Sequence, residues 1–419
     1  MFQNSGLSLE QAPPIKVIFR FFLSGAIFGV VASIMLFFWH NNLSNFSNPT
    51  TLAFVHTLTL GVMASFMLGA LFQMMPVICG VHIKAPINAS MRVNYALFFG
   101  TIFLVVYFIN GSLILLYLTF LSLGYALFSA TYIMLKELKK IEHSNASRGM
   151  SIALTALAIA VVIALLMLLL RAGVISNLDY LDLKSIHFNF ALFGWIFMLV
   201  VSVSLQVIEM FYVTPKYKSS YAKYITITTI TTLFIYAILT FINCKESSII
   251  LTIIYLATIA HALYTLYNIK RKKRPVNDAT IWFWVISMSA LALFGVTMLL
   301  NISATLSATL FAIFALSVVF AMVYKIVPFL VWFHLNAQGY FDAPMMHEVV
   351  SLKYARVNMW ILFIASIFSI VAVYFNKIYY IATFFWFISF FMLLLTIYRA
   401  WHKYLHTLKY GKKMNFSFN

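Results

Sequence analysis

Two sets of polar side chains stand out inside otherwise apolar stretches of this chain. The first is a pair of histidines, His56 and His187, each at the start of a long apolar run. Neutral imidazole is a good ligand for haem iron and for copper, so a pair of this kind could hold haem or a copper ion. The second set is Gln73, Gln206, Glu209 and Lys325, each near the far end of such a run. Glu209 is the one acidic residue read inside an apolar run, and Lys325 the one lysine well inside one. A charge in hydrocarbon is costly unless paired, which predicts a Glu209–Lys325 ion pair serving as a helix lock or as part of a proton or ion path. A histidine at the end of such a run is more often an interfacial hydrogen-bonding residue than a ligand. Two of them on related runs strengthen the ligand reading.

The elements that must position these groups are membrane helices. Charged residues make up 9% of the chain, against about a quarter in soluble domains. Apolar runs of about 20 residues recur, and only helices satisfy their backbone groups in lipid without a closed barrel. Twelve spans are read at 17–40, 51–79, 93–111, 112–135, 150–172, 186–213, 222–243, 247–269, 280–301, 303–330, 354–375 and 378–400. The fold class is therefore an all-α polytopic membrane protein. Residues 1–16 form a cytoplasmic arm with no cleavable leader pattern, 17–400 one transmembrane domain, 331–353 a long cytoplasmic loop, and 401–419 a basic cytoplasmic tail. Along span two, His56 and Gln73 are 17 positions apart, about 26 Å of helix, so the two polar sets belong to opposite faces of the membrane.

The net charge of +18 would raise nucleic acid as a partner in a soluble protein. Here the positives read as topology signals and as contacts to anionic lipid on the cytoplasmic face; no nucleic acid is expected. Sorted by the nearer end of each span, twenty-four Lys and Arg fall on the side of the N-terminus. Only Arg171, Lys184, Lys245 and Lys377 fall on the other. This bias places both termini in the cytoplasm, and a bacterial inner membrane suits it. The two cysteines, Cys79 and Cys244, have no ligand or disulfide spacing.

Spans two, six and ten share a pattern at every fourth residue that closes on a step of three. It reads Gly61, Ser65, Gly69, Gln73, Pro76 in the first, Gly194, Met198, Ser202, Gln206, Glu209 in the second, and Ile313, Ser317, Ala321, Lys325, Pro328 in the third. Largely small rows let helix backbones approach closely. Recurrence every four helices predicts three four-helix units about a pseudo-threefold axis, with these three spans converging inside. His56 precedes its glutamine by 17 residues and His187 by 19, so the histidines are not strict repeat equivalents. Of the rest, His261 reads as a satisfied core residue. Met345-Met346-His347 carries soft ligands for cuprous copper, but three neighbours in a loop are weak grounds.

Twelve spans, both termini inside, three four-helix arcs and histidines on spans two and six together resemble the catalytic subunit of the haem–copper oxidases and nitric oxide reductases. The chain is also similar to the haem-binding NnrS-type relatives of that group, and to an uncharacterised bacterial family of oxidase-like membrane proteins. The stretches carrying the resemblance are Leu9-Glu10-Gln11-Ala12-Pro13-Pro14 with Arg20-Phe21-Phe22, His56 to Pro76, Gly194-Trp195 through Gln206, Met210-Phe211, Thr214-Pro215, and Tyr324-Lys325-Ile326-Val327-Pro328-Phe329-Leu330-Val331-Trp332. The resemblance implies that His56 occupies the place of a low-spin haem ligand and His187 that of a copper ligand. The family's further histidines on spans seven and ten are missing, since 222–243 and 303–330 contain none. Without them neither the family's binuclear centre nor its conventional bis-histidine low-spin haem has a ligand set, so oxygen reduction by the family mechanism is not expected. The expectation is a non-respiratory protein that binds haem or copper through His56 and His187. A proton-linked transporter using Gln73, Gln206, Glu209 and Lys325 is one alternative; an assembly partner for a respiratory complex, with no chemistry of its own, is another.

Overall fold

The computed structural model describes residues 9–413, apart from 274 and 277. The first eight residues of the arm, the last six of the tail and Arg274 of the charge count lie outside the described residues. Among the described residues, twelve helices are long and apolar enough to cross a membrane. They are α1 (Lys16–Asn42), α2 (Pro49–Cys79), α3 (Pro86–Asn110), α4 (Leu113–Leu138), α5 (Asn145–Arg171), α6 (Tyr180–Tyr212), α7 (Ser219–Phe241), α8 (Ser247–Lys270), α9 (Ala279–Leu299), α10 (Ala304–Ala337), α11 (Leu352–Ala372) and α12 (Asn376–Tyr410). The start of α1 and the end of α12 lie at the same end of the bundle, called here the termini end.

Nine helices form a closed ring in the order α1, α3, α4, α5, α7, α8, α9, α11, α12 and back to α1. The remaining three stand inside it. Helix α2 packs on α1 and α3, α6 on α5, α7 and α8, and α10 on α9, α11 and α12. The same packing order thus recurs three times, once per four helices, and the second helix of each set is the inner one. Burial agrees. In α2, α6 and α10, 83% of the most apolar window is buried, against 39–61% in the ring helices.

The small rows explain how the inner helices seat. A side-chain carbon added at Gly61 would fall 2.6 Å from Phe28 of α1, and one at Gly69 would fall 2.7 Å from Phe21. One at Gly194 would fall 2.6 Å from Ala156 of α5. The rows therefore let α2 and α6 press onto the first helix of their own units, where packing must supply the attraction that lipid does not.

Several boundaries differ from the sequence reading. Helices α3, α5 and α6 begin at Pro86, Asn145 and Tyr180, where the spans were read from 93, 150 and 186, and two later helices run past their expected ends. Helix α10 continues through Pro328 to Ala337, so much of the expected loop 331–353 is helical, and Met346–Val349 adds a short turn. Helix α12 runs on to Tyr410, so the first half of the expected tail is helix. Both extensions leave the apolar run but keep a buried face: Leu335 on α10, Tyr404 and Thr407 on α12. An apolar-run criterion stops where polar residues begin, whereas the helix stops where its packing face does. The loop after α10 is tied to the chain's end. Phe341 N–H donates to the Lys412 carbonyl, and Lys403 Nζ donates to the Glu348 carbonyl at 2.7 Å.

Candidate functional site

The histidine pair lies at the end of the bundle opposite the termini. In α2 and α6 the backbone there is not α-helical throughout. Each widens into a π-helical segment, Thr57–Ala64 and Phe190–Phe197. Such widenings are rare and concentrate at functional sites. The two helices match element for element at a constant offset of 133 residues: Thr57 with Phe190, Ala64 with Phe197, Ser65 with Met198, Cys79 with Tyr212. That offset is the one that pairs Gly61 with Gly194 and Gln73 with Gln206, so the repeat read from the small rows also appears in the backbone. At the first residue of one π segment and just before the other, a side chain donates to a carbonyl four residues back: Thr57 Oγ1 to Ala53, Asn189 Nδ2 to Ser185. The same bond occurs in plain α-helix at Thr101, so it does not by itself set the wider turn.

At this offset His56 corresponds to Asn189 and His187 to Phe54, and yet the two imidazoles face one another. Their centroids are 6.5 Å apart and their planes differ by 10°. Different anchors bring this about. His56 Nδ1 is 2.8 Å from the Leu52 carbonyl, one turn back on its own helix. His187 Nδ1 is 2.9 Å from the Ala160 carbonyl on α5. A carbonyl only accepts, so each Nδ1 carries a proton, and in the neutral ring each Nε2 keeps its lone pair. A ring held through Nδ1–H with Nε2 open is the arrangement found in metal-binding histidines. Neither Nε2 has a hydrogen bond among the described residues. Both rings are half-buried.

The wall beside the pair is aromatic and cationic. The Phe108 ring is 5.1 Å from that of His56, and the Arg171 guanidinium lies 5.6 Å from the centre of the same phenyl ring. Arg171 also donates to Tyr180 Oη at 2.8 and 3.0 Å. Lys184 donates to the Phe46 carbonyl and to Ser47, which ties the entry of α6 to the loop before α2. Sequence reasoning placed the histidines together but missed Phe108 and Arg171. Arg171 was visible there only as one of four positives on the minority side.

The inner polar set is not one cluster. Lys325 Nζ lies 2.5 Å from Asp278 Oδ2, and Glu209 lies 3.4 Å from Lys216. The expected Glu209–Lys325 pair is thus replaced by two local pairs. Asp278 just precedes α9 and was read as a loop residue, but α9 packs along α10 and brings its N-cap against the lysine. Lys325 also sits 5.4 Å from the Tyr212 ring centre of α6. Tyr212 Oη donates to Thr280 Oγ1 at 2.8 Å, and Thr280 Oγ1 donates to Asp278 Oδ1 at 2.5 Å, so one polar chain joins α6, α9 and α10. No hydrogen bond or ion pair links any two of Gln73, Gln206, Glu209 and Lys325 among the described residues. Gln73 is buried, and its Oε1 has no hydrogen-bond partner among the described residues.

His261 is fully buried, with Ser204 Oγ at 3.2 Å from Nε2 and Tyr221 Oη at 3.0 Å from Nδ1. Both ring nitrogens are satisfied, in keeping with a core residue. His334 falls inside α10 once the helix is followed to Ala337, but at the termini end, away from His56 and His187. Met345, Met346 and His347 are all exposed. Among the described residues, no three His, Cys, Asp or Glu side chains gather as a metal site. Compared with known proteins, the chain matches no family model and no curated relative.

Proposed function

We propose that this chain is an integral membrane protein that holds haem or a copper ion between His56 and His187, near the non-cytoplasmic face of a bacterial inner membrane. Its role is a non-respiratory one in sensing, storage or protection, linked to oxygen or nitric oxide chemistry. The observation that carries the reading is the pair of near-parallel imidazoles 6.5 Å apart, each pinned through Nδ1 with Nε2 open.

The donor set fits both candidates. Haem brings four ring nitrogens and asks the protein for axial ligands, and cuprous copper is suited by imidazole. An ion that wants four protein ligands, as structural zinc does, finds no such group among the described residues. Bound there, haem or copper would supply a centre that takes up oxygen or nitric oxide. The chain's own part is to hold it. The Leu52 and Ala160 carbonyls fix the tautomer and direction of each ring, α2 and α6 fix the separation, and Phe108 shields one side. Arg171 puts a permanent positive charge within reach of an anionic group on the occupant.

An absorption spectrum of detergent-purified protein tests this. Haem gives a Soret band, and metal analysis gives copper in stoichiometric amount. His56→Ala and His187→Ala each abolish whichever is present. A colourless, copper-free protein after expression with haem and copper supplied overturns the reading. It would leave the transporter or assembly-partner alternatives, although the transporter's inner cluster is divided between Lys325–Asp278 and Glu209–Lys216.

A further inference from the structure

A cavity of about 290 Å³ opens between α3 and α4 at the termini end of the bundle, well away from the histidine pair. Its lining includes Lys84, Arg92, Tyr125, Ser129 and Tyr132. Lys84 and Arg92 bring two positive charges to one concavity, and neither forms an ion pair or hydrogen bond among the described residues. The acid in this neighbourhood, Glu137, is taken by Lys140 at 2.6 Å. A third cation, Lys136, stands 5.5 Å from the Tyr132 ring centre.

We propose that this cavity binds a phosphate anion, carried on the headgroup of an anionic phospholipid or free in solution. A guanidinium and an ammonium converging on one hollow match the charge and donor demands of phosphate, and Ser129 and the tyrosine hydroxyls can add neutral donors. The position favours the lipid source. Helices α3 and α4 belong to the outer ring, so the cavity faces lipid. Arg92 lies about 9 Å along α3 from Pro86, at the depth where headgroups meet acyl chains. Tyr125 and Tyr132 are 47% and 64% exposed, as amphipathic rings at a membrane interface are. Lys84 and Arg92 line one hollow.

The test uses the full chain in phosphatidylcholine nanodiscs containing a minority of phosphatidylglycerol. Lipid retained on extraction is counted by native mass spectrometry. Wild type is expected to retain phosphatidylglycerol over phosphatidylcholine. Lys84→Gln/Arg92→Gln is expected to lower that preference about twenty-five-fold, at about fivefold per cation. Lys223→Gln/Lys270→Gln, which removes equal charge elsewhere at the same end, should leave it unchanged, and Arg92→Lys should keep part of it. In a second arm, inorganic phosphate is titrated into protein in phosphatidylcholine alone. Saturable phosphate binding that depends on Lys84 and Arg92, without a lipid preference, supports the anion site and assigns it to soluble phosphate. Equal retention in wild type and Lys84→Gln/Arg92→Gln, with no phosphate binding, overturns the proposal.

Discussion

The ion pair between Asp278 and Lys325 can be weighed by a double-mutant cycle. At 2.5 Å and an effective dielectric of about 20, the Coulomb attraction is about 7 kcal/mol before desolvation is subtracted. The side chains are 19% and 18% exposed, so each ion has given up much of its hydration. Exposed pairs are worth about 0.2–1 kcal/mol, and breaking a fully buried pair costs about 3–5 kcal/mol. We expect a coupling near 2 kcal/mol between Asp278→Asn and Lys325→Met. Asn is the informative replacement because it keeps an oxygen for the cap. Asp278 Oδ1 accepts from Thr280 N at 3.0 Å and Ile281 N at 3.2 Å. Asp278→Ala should lose about 1 kcal/mol more, the usual worth of an N-cap. The assay is reversible denaturant unfolding in mixed micelles, followed by helical circular dichroism. Burial alone would push the Asp278 carboxyl up, but Lys325 and the bonds from Thr280 and Ile281 outweigh it and hold it below the ordinary aspartate value. The sign follows. The contribution is fully present above that ordinary value and is lost as pH falls through the depressed one. A coupling under about 0.5 kcal/mol, or an equal coupling between Glu209→Gln and Lys325→Met, would refute the reasoning, since residues that share no contact should show almost none.

Three further outcomes are expected. Gly29→Val should destabilise by about 1–3 kcal/mol in the same assay, because even a single added carbon would fall 2.1 Å from Phe390 of α12. Asn358→Leu should cost about 1 kcal/mol, two interhelical hydrogen bonds at about 0.6 kcal/mol each. It removes the Asn358 bonds of the buried Tyr324 hydroxyl and Ser389 Oγ, both 2.7 Å from the amide, and thermal aggregation in detergent would report it. In spheroplasts, a membrane-impermeant maleimide should label Cys244, between α7 and α8, while Cys79, at the other end of α2, reacts only after lysis. The reverse pattern would invert the topology drawn from the charge bias.

How much of this protein the sequence decided follows from the kind of force at work in each place. Span number, helix type and the inward placement of α2, α6 and α10 are local consequences of apolar length and small rows, which lipid enforces one segment at a time. The offset joining Gly61 to Gly194 was therefore readable, and the π segments repeat it. Helix ends were less so: α10 and α12 outrun their apolar stretches because Leu335, Tyr404 and Thr407 keep a packing face the hydropathy does not show.

Partner choice lay beyond the sequence. Lys325 needed an acid, but which one depended on the crossing of α9 over α10, and a loop aspartate 47 residues away was nearer than the membrane-embedded Glu209. His56 and His187, unequal in register, meet because one ring is held by its own helix and the other by α5. Charges and ring nitrogens act over a few ångströms, and distances of that size exist only once the helices have packed.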